Sequence, residues 1–227
     1  MIEENLKSVR KKIAEAQKKA PQKQDVTLIA VTKTHSPEVI NEAIDLGITD
    51  IGENKVQEIM EKYDKVKPVR WHLIGHLQTN KVKYIIDKVH MIHSVDSVKL
   101  MDEIEKRAKE HDIEMKILIQ VNISGEETKF GIAPDELEDL LIHAGSLKYV
   151  KVCGLMTIAP KIDSNMSNRL HFDNILRKYI DISQKKYDNV IMQYLSMGMS
   201  SDYECAIEAG SNMVRVGSAI FGNRIYT

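Results

Sequence analysis

Apolar residues recur along this chain at two spacings. Residues 2–19 place Ile2, Leu6, Val9, Ile13 and Ala16 on one face of an amphipathic helix, and the Pro21 region ends it. From there, short apolar runs alternate with helical stretches. The runs 26–32, 48–51, 71–75, 89–94, 115–123, 152–157, 191–197 and 213–216 read as strands. Helical patterns lie near 37–46, 53–64, 79–87, 96–111, 134–145, 166–187 and 201–209. Strands that alternate with helices build a parallel sheet, because parallel neighbours need a crossover. Eight such units close into a (β/α)8 barrel, so the expected architecture is a single α/β TIM barrel over 1–227 with an extra N-terminal helix. The run at 48–51 is short, and a doubly wound open sheet is the other arrangement that this alternation allows.

Composition narrows the class. A chain of 227 residues can bury about 70% of its unfolded surface and needs no covalent staples. The net charge of −1 favours neither nucleic acid nor an anionic membrane as partner. Two cysteines, Cys153 and Cys205, make no disulfide framework, and a reducing, cytoplasmic setting is the simplest expectation. The first residues carry acidic side chains and no apolar core, so no secretory signal is expected, and no apolar run is long enough for a membrane span. No Gly/Ser/Pro-rich linker interrupts the alternation. The segment Ala159 to Asn168 is polar, contains Pro160, and reads as a loop before a long helix.

In a barrel of this type the active site lies at the C-terminal ends of the strands, and the unusual residues fall there. The run Leu28 to Val31 ends in Lys33, and Ser36-Pro37 then looks like the cap and first turn of a helix. A lysine at the end of a buried strand loses water, which favours its neutral amine, a nucleophile toward carbonyls. Equally, such a lysine can leave the sheet and reach solvent along its own stem. Gly52-Glu53-Asn54 follows the second strand, and Gly75-His76-Leu77-Gln78-Thr79-Asn80-Lys81 the third. Ser124 to Gly131 follows the fifth and Gly154-Leu155-Met156-Thr157 ends the sixth.

The last two strands weigh most, because many barrels hold a phosphate between the loops that follow them. Ser200 and Ser201 open a predicted helix, and Ser201-Asp202-Tyr203-Glu204 fits a capping box. Gly217-Ser218-Ala219 makes a small turn after the eighth strand. Either loop alone reads as an ordinary cap or turn; the two together suit a dianion. Arg215, inside the apolar run Met213-Val214-Arg215-Val216, points either outward to a carboxylate or into the barrel, and spacing alone does not choose. His72, His76, His90 and His93 show no metal-ligand spacing and read as satisfied core or supporting groups. Cys153 reads as a buried strand residue, Cys205 as a helix residue, and Met156, Met197 and Met199 as packing around a pocket.

An imine-forming lysine, a dianion cradle and an inward arginine are together the parts needed for pyridoxal 5′-phosphate. Arginine only donates hydrogen bonds. Facing the pyridine nitrogen, it would keep that nitrogen unprotonated and weaken the electron sink, which suits mild chemistry or none.

The segments Ala30-Val31-Thr32-Lys33-Thr34, Gly52-Glu53-Asn54-Lys55-Val56-Gln57-Glu58, Trp71 to Lys81, Gly154-Leu155-Met156, Leu195-Ser196-Met197-Gly198-Met199-Ser200 and Val214 to Gly222 resemble the pyridoxal phosphate homeostasis protein family. The likeness runs from near the N-terminus to residue 224. It implies the barrel of alanine racemase, with fold-type III cofactor binding. It implies a Schiff base at Lys33, phosphate held by Ser200 and the Gly217-Ser218 turn, Arg215 at the pyridine nitrogen and Asn54 beside the ring. Met199 and Ser201 complete the cofactor-binding set that it implies. The family is thought to bind, buffer and deliver the cofactor to apo-enzymes, with no established turnover.

Three expectations follow. The first is a non-catalytic cofactor-binding protein, a monomer because a lone barrel is self-contained. The second is a slow racemase or decarboxylase with Lys33 as single base. Alanine racemase takes its second base from a further domain, and the chain is expected to be too short to build one. The third is a sugar-phosphate aldolase with the same lysine and cradle, which predicts a colourless protein.

Overall fold

The computed structural model describes residues 1–126, 129–160 and 165–222. Eight parallel strands close into a barrel in sequence order, with the first hydrogen-bonded to the last. Helix α1 (Ile2–Lys19) comes first. It is followed by β1 (Thr27–Val31), α2 (Pro37–Asp45), β2 (Asp50–Glu53), α3 (Val56–Lys62), β3 (Arg70–Leu73) and β4 (Met91–Val95). Next come α4 (Val98–Glu110), β5 (Met115–Gln120), α5 (Leu137–Ala144), β6 (Val150–Met156), α6 (Asn165–Ser183), β7 (Val190–Met199), α7 (Tyr203–Glu208), β8 (Met213–Val216) and α8 (Ser218–Phe221). Closure excludes the open doubly wound sheet.

Period-two alternation sorts each strand into two faces. Ala30, Ile51, Leu73, Ile92, Leu195, Val214 and Val216 face the helices and join the large outer core. Ile29, Met91, Leu118, Cys153, Met156 and Met213 come from five different strands yet pack on one another. Only the lumen brings them together. Arg215 is two residues from Met213, so it shares the lumen face, and its half-open orientation in the sequence reading resolves inward.

Helix α1 buries Leu6, Val9, Ile13 and Ala16, as its spacing predicts. It fits where α7 and α8 are too short to cover the barrel, and Lys12–Glu204, Lys19–Glu208 and Asn5 to the Ile220 carbonyl fix its position. No helix among the described residues is long and apolar enough to cross a membrane.

Several boundaries differ from the pattern. The second strand is Asp50–Glu53 rather than 48–51. A hydrophobicity reading stops before Gly52 and Glu53, yet Glu53 is buried because Lys62 and Thr32 satisfy it. The predicted helix 79–87 is a run of 3-10 turns at Thr79–Tyr84. Val82, Ile85 and Ile86 are buried as the spacing requires, but these β-branched side chains are poor α-helix formers, and the segment winds tighter. The long helix starts at Asn165, inside the segment read as a loop, and ends at Ser183; residues 161–164 of that loop lie outside the described residues, as do 127–128 of the Ser124–Gly131 stretch.

Candidate functional site

One cavity of about 260 Å³ opens at the C-terminal end of the barrel. Lys33 lines it from the end of β1, Met199, Ser200 and Ser201 from the end of β7, and Arg215, Gly217 and Ser218 from the end of β8. Val31, His35 and Gly222 complete the wall. Seven of the eight predicted site residues therefore meet around one space. Asn54 instead lines an adjacent cavity of about 510 Å³, with Lys55, Gln57, His76, Gln78 and Lys81 among its neighbours.

The two phosphate-type loops are tied together by one hydroxyl. Ser200 Oγ accepts the backbone N–H of Gly217 at 3.0 Å and of Ala219 at 3.3 Å. The capping box expected at Ser201 does not form. Helix α7 begins at Tyr203 with Asp202 as its N-cap, and no side chain caps it. Asp202 Oδ1 instead accepts the Met199 N–H at 2.7 Å and Oδ2 accepts Asn168 Nδ2 at 2.9 Å. With Asp202 closing the turn, Ser200 is left for the opposite loop. The backbone amides of Ser200 and Ser201 have no backbone acceptor among the described residues. Gly217 lets the chain pass close to β1: a Cβ there would sit 3.3 Å from the Val31 carbonyl oxygen.

Lys33 is half-buried, and its backbone is gripped on both sides from outside the barrel. Lys62 Nζ donates to the Thr32 carbonyl at 3.1 Å, to Glu53 Oε1 at 2.8 Å and to Glu58 Oε2 at 2.8 Å. Thr32 Oγ1 donates to the same Glu53 oxygen at 2.7 Å. Beyond the lysine, Thr34 N–H donates to Glu58 Oε2 at 2.7 Å. Thr34 has a φ of 68°, a left-handed conformation that a threonine adopts only when its surroundings hold it. Burial pushes the Glu53 carboxyl above its ordinary range, against the pull of Lys62. For Glu58 the balance reverses: burial acts against ionisation, but Lys62 and the Thr34 amide hold it below.

Arg215 is buried in the lumen. It donates through Nη1 to Ser196 Oγ at 2.6 Å and through Nη2 to the Thr157 carbonyl at 2.8 Å. Burial pushes its pKa down to about 10, which leaves it a cation at neutral pH. Behind Ser196 stand His93 and His72, buried and hydrogen-bonded to each other. His76 lies elsewhere, half-exposed, stacked on Phe130 at 4.0 Å with Asp96 at 3.7 Å. Burial pushes His90 down to about 4. Among the described residues no cluster of His, Cys, Asp or Glu has the makings of a metal site. Cys153 is buried in its strand and Cys205 half-buried in α7, both without a disulfide.

Sequence patterning does not single out Asp50, Glu58, Lys62 or the role of Ser196. Asp50 and Ser196 carry a signal in hindsight: with His72, His93 and Arg215 they are polar residues at lumen positions of five strands. Glu58 and Lys62, on α3, carry none beyond their i,i+4 spacing.

These residues fit a ligand with an aldehyde, an aromatic nitrogen and a phosphate. An amine, a permanent donor and a hydroxyl-lined loop pair face one another across a small cavity.

The chain matches the family described as alanine racemase, N-terminal domain, over residues 5–224. It is 47% identical over 201 residues to the pyridoxal phosphate homeostasis protein of Aquifex aeolicus (strain VF5), spanning 88% of this chain and 87% of that protein. Among solved structures it is similar to PipY of Synechococcus elongatus PCC7942 with PLP bound, with a TM-score of 0.85 and 31% identity over 98% of this chain and 100% of that one. Alanine racemase from Clostridium difficile 630, in complex with cycloserine, shares the fold. Its TM-score is 0.72 at 15% identity, over 97% of this chain and 60% of that chain.

Proposed function

The chain belongs to the pyridoxal phosphate homeostasis proteins, built on the alanine racemase N-terminal domain, and from that premise we propose that it binds pyridoxal 5′-phosphate in the cavity at the barrel mouth to store, buffer and hand it on. The observation that carries this reading is the meeting of Lys33, Ser200, Arg215, Gly217 and Ser218 around one space. When bound, the cofactor supplies an aldehyde open to an amine and a phosphate dianion.

Each residue then has a task. Lys33 would hold the cofactor through its amine, a nucleophile toward the aldehyde. Ser201, Ser218 and the amides around Ser200 hold the phosphate, as small donors at a loop pair do. Met199 packs beside the ring. Asn54, which lines the neighbouring cavity, would flank the ring. Arg215 would face the pyridine nitrogen as a donor with no proton to give up at neutral pH. It would keep that nitrogen from protonating and damp carbanion chemistry, which would favour storage over turnover. Cys153 and Cys205 outside any disulfide suit work in the cytoplasm, where PLP-dependent apo-enzymes are the recipients in this reading.

Borohydride reduction of the purified yellow protein, followed by peptide mapping, tests it. Reduced cofactor on Lys33 supports the reading. Label on another lysine, or a colourless protein that takes up no PLP, overturns it, and the second of these results favours the aldolase.

A further inference from the structure

The lumen of this barrel is divided. One part is apolar, made of Ile29, Met91, Leu118, Cys153, Met156 and Met213. Through the rest runs an unbroken file of polar side chains. His72 Nε2 lies 2.9 Å from Asp50 Oδ1, His72 Nδ1 3.0 Å from His93 Nε2, and His93 Nδ1 3.2 Å from Ser196 Oγ, which accepts from Arg215 at 2.6 Å. Asp50, His72, His93 and Ser196 are almost wholly excluded from solvent. Asp50 stands at the start of β2, at the end of the barrel opposite the cavity, where Arg70 grips its carboxylate through two nitrogens.

The two ends dictate the direction. A guanidinium only donates, so Ser196 Oγ must accept from Arg215. Burial acts against the Asp50 charge, but the bonds from Arg70, His72 and Thr49 outweigh it and hold the carboxyl well below its ordinary range. Asp50 therefore only accepts, and the proton between it and His72 sits on Nε2. A neutral His72 then has a bare Nδ1, which must accept from His93 Nε2–H. His93 in turn has a bare Nδ1, which takes the Ser196 hydroxyl proton. Each ring nitrogen in the file is used once, and the Ser196 hydroxyl both accepts and donates.

The opposite polarity is worse on three counts. It needs a doubly protonated His72 in a lumen that already holds Arg215. It makes His93 Nδ1 and Arg215 both donate to Ser196 Oγ. It also leaves the Ser196 proton without a further acceptor among the described residues. Burial pushes His93 well below its ordinary range, and the Arg215 charge pushes the same way.

We propose that Asp50, His72, His93 and Ser196 form a one-way hydrogen-bond relay that fixes both imidazoles as neutral Nε2–H tautomers and positions Arg215 at the cavity. The relay needs no ligand; its consequence for the cofactor rests on the proposed site. Each O–H or N–H dipole points its positive end toward Asp50 and its negative end toward Arg215, so the file stabilises both buried charges and its bonds reinforce one another. Among the described residues no carboxylate forms an ion pair with Arg215, and the relay stands in for one. These four are positioning residues, since Arg215 alone reaches the cavity.

Long-range nitrogen–proton NMR of the ligand-free, full-length protein reads the tautomers directly. The expected result is two neutral rings, each protonated at Nε2. A proton on His93 Nδ1, or a doubly protonated His72 at neutral pH, overturns the relay. The positioning role is tested by Ser196→Ala and Ser196→Thr against Cys153→Ala, a lumen change outside the file. Ser196→Ala should weaken PLP binding about tenfold or more, the loss expected for a buried bond to a charged donor. It should also displace the visible band of the bound cofactor, which a general loss of stability would not do. Ser196→Thr should restore both, and Cys153→Ala should leave the band in place. Unchanged affinity and band in a folded Ser196→Ala protein would refute positioning. Label found away from Lys33 would refute the cofactor site and leave the tautomer result standing.

Discussion

Replacing Lys62 with methionine keeps most of the length of the side chain and removes its charge. In the native protein this ammonium serves the Thr32 carbonyl, Glu53 and Glu58 together. Glu53 is fully buried, and its Oε2 already lacks a partner among the described residues. Breaking a buried ion pair by removing one member costs about 3–5 kcal/mol, because the other charge is left unpaired. That is a large share of the roughly 5–15 kcal/mol that holds a protein folded. Glu53 can escape part of the penalty by taking a proton, and its pKa is already raised by burial. A group with a raised folded pKa stabilises fully below its unfolded value, and that stability is lost as pH rises through the folded value. Without Lys62 the folded value rises further. Lys62→Met should therefore be hurt most at pH about 8 and least at pH about 5.

Urea unfolding of wild type and variant at those two pH values measures the difference in midpoint. The double variant Lys62→Met/Glu53→Gln should recover most of the loss at the higher pH, because no charge is then stranded. An equal loss at both pH values, or no rescue by Glu53→Gln, would refute the idea that an unpaired Glu53 carries the cost. The same variant frees Thr32 and loosens Glu58, which holds Thr34. Borohydride trapping at Lys33 should slow even under conditions where the protein stays folded.

Ser200→Ala removes the one acceptor shared by the Gly217 and Ala219 amides. PLP affinity, followed by fluorescence titration, should fall about tenfold, on the scale of a lost bond to a charged group; an unaltered titration would contradict the loop-stitching role. Gly75→Ala places a Cβ 2.3 Å from the Asn54 carbonyl oxygen, a backbone clash that no side-chain rotation relieves. Its melting temperature should drop by several degrees, about 2–4 °C for each kcal/mol lost in a chain of this size, and an unchanged melting curve would show that the loop yields freely. In deuterated water, the loaded protein should exchange the α-proton of D- or L-amino acids no faster than free PLP does. Faster exchange, abolished by Lys33→Ala, would turn the reading toward a slow single-base enzyme.

The barrel was legible because its signal is additive. Each strand contributes an apolar outer face, such as Ala30, Ile51 or Val214, and an error of two residues at one boundary does not disturb the alternation of strand with helix. Lys33, Ser200 and Gly217 were legible for another reason: they follow strand ends, and closure in sequence order carries β7 and β8 round to β1. The polar lumen was not legible. Asp50, His72, His93 and Ser196 each look anomalous within their own strand, and periodicity assigns each a face without a neighbour. Only closure places β4 opposite β7, so that His93 meets Ser196 across 103 positions of sequence. The same blindness moved the second strand, since Gly52 and Glu53 read as a loop while Lys62 and Thr32 satisfy the buried Glu53. Ser201 failed for a more local reason: two hydroxyls and a carboxylate competed for one cap, and Asp202 closed the turn because its two oxygens can hold Met199 and Asn168 at once. Propensity ranks residues one at a time. The geometry of this site is decided by which of them is left over once its neighbours are satisfied.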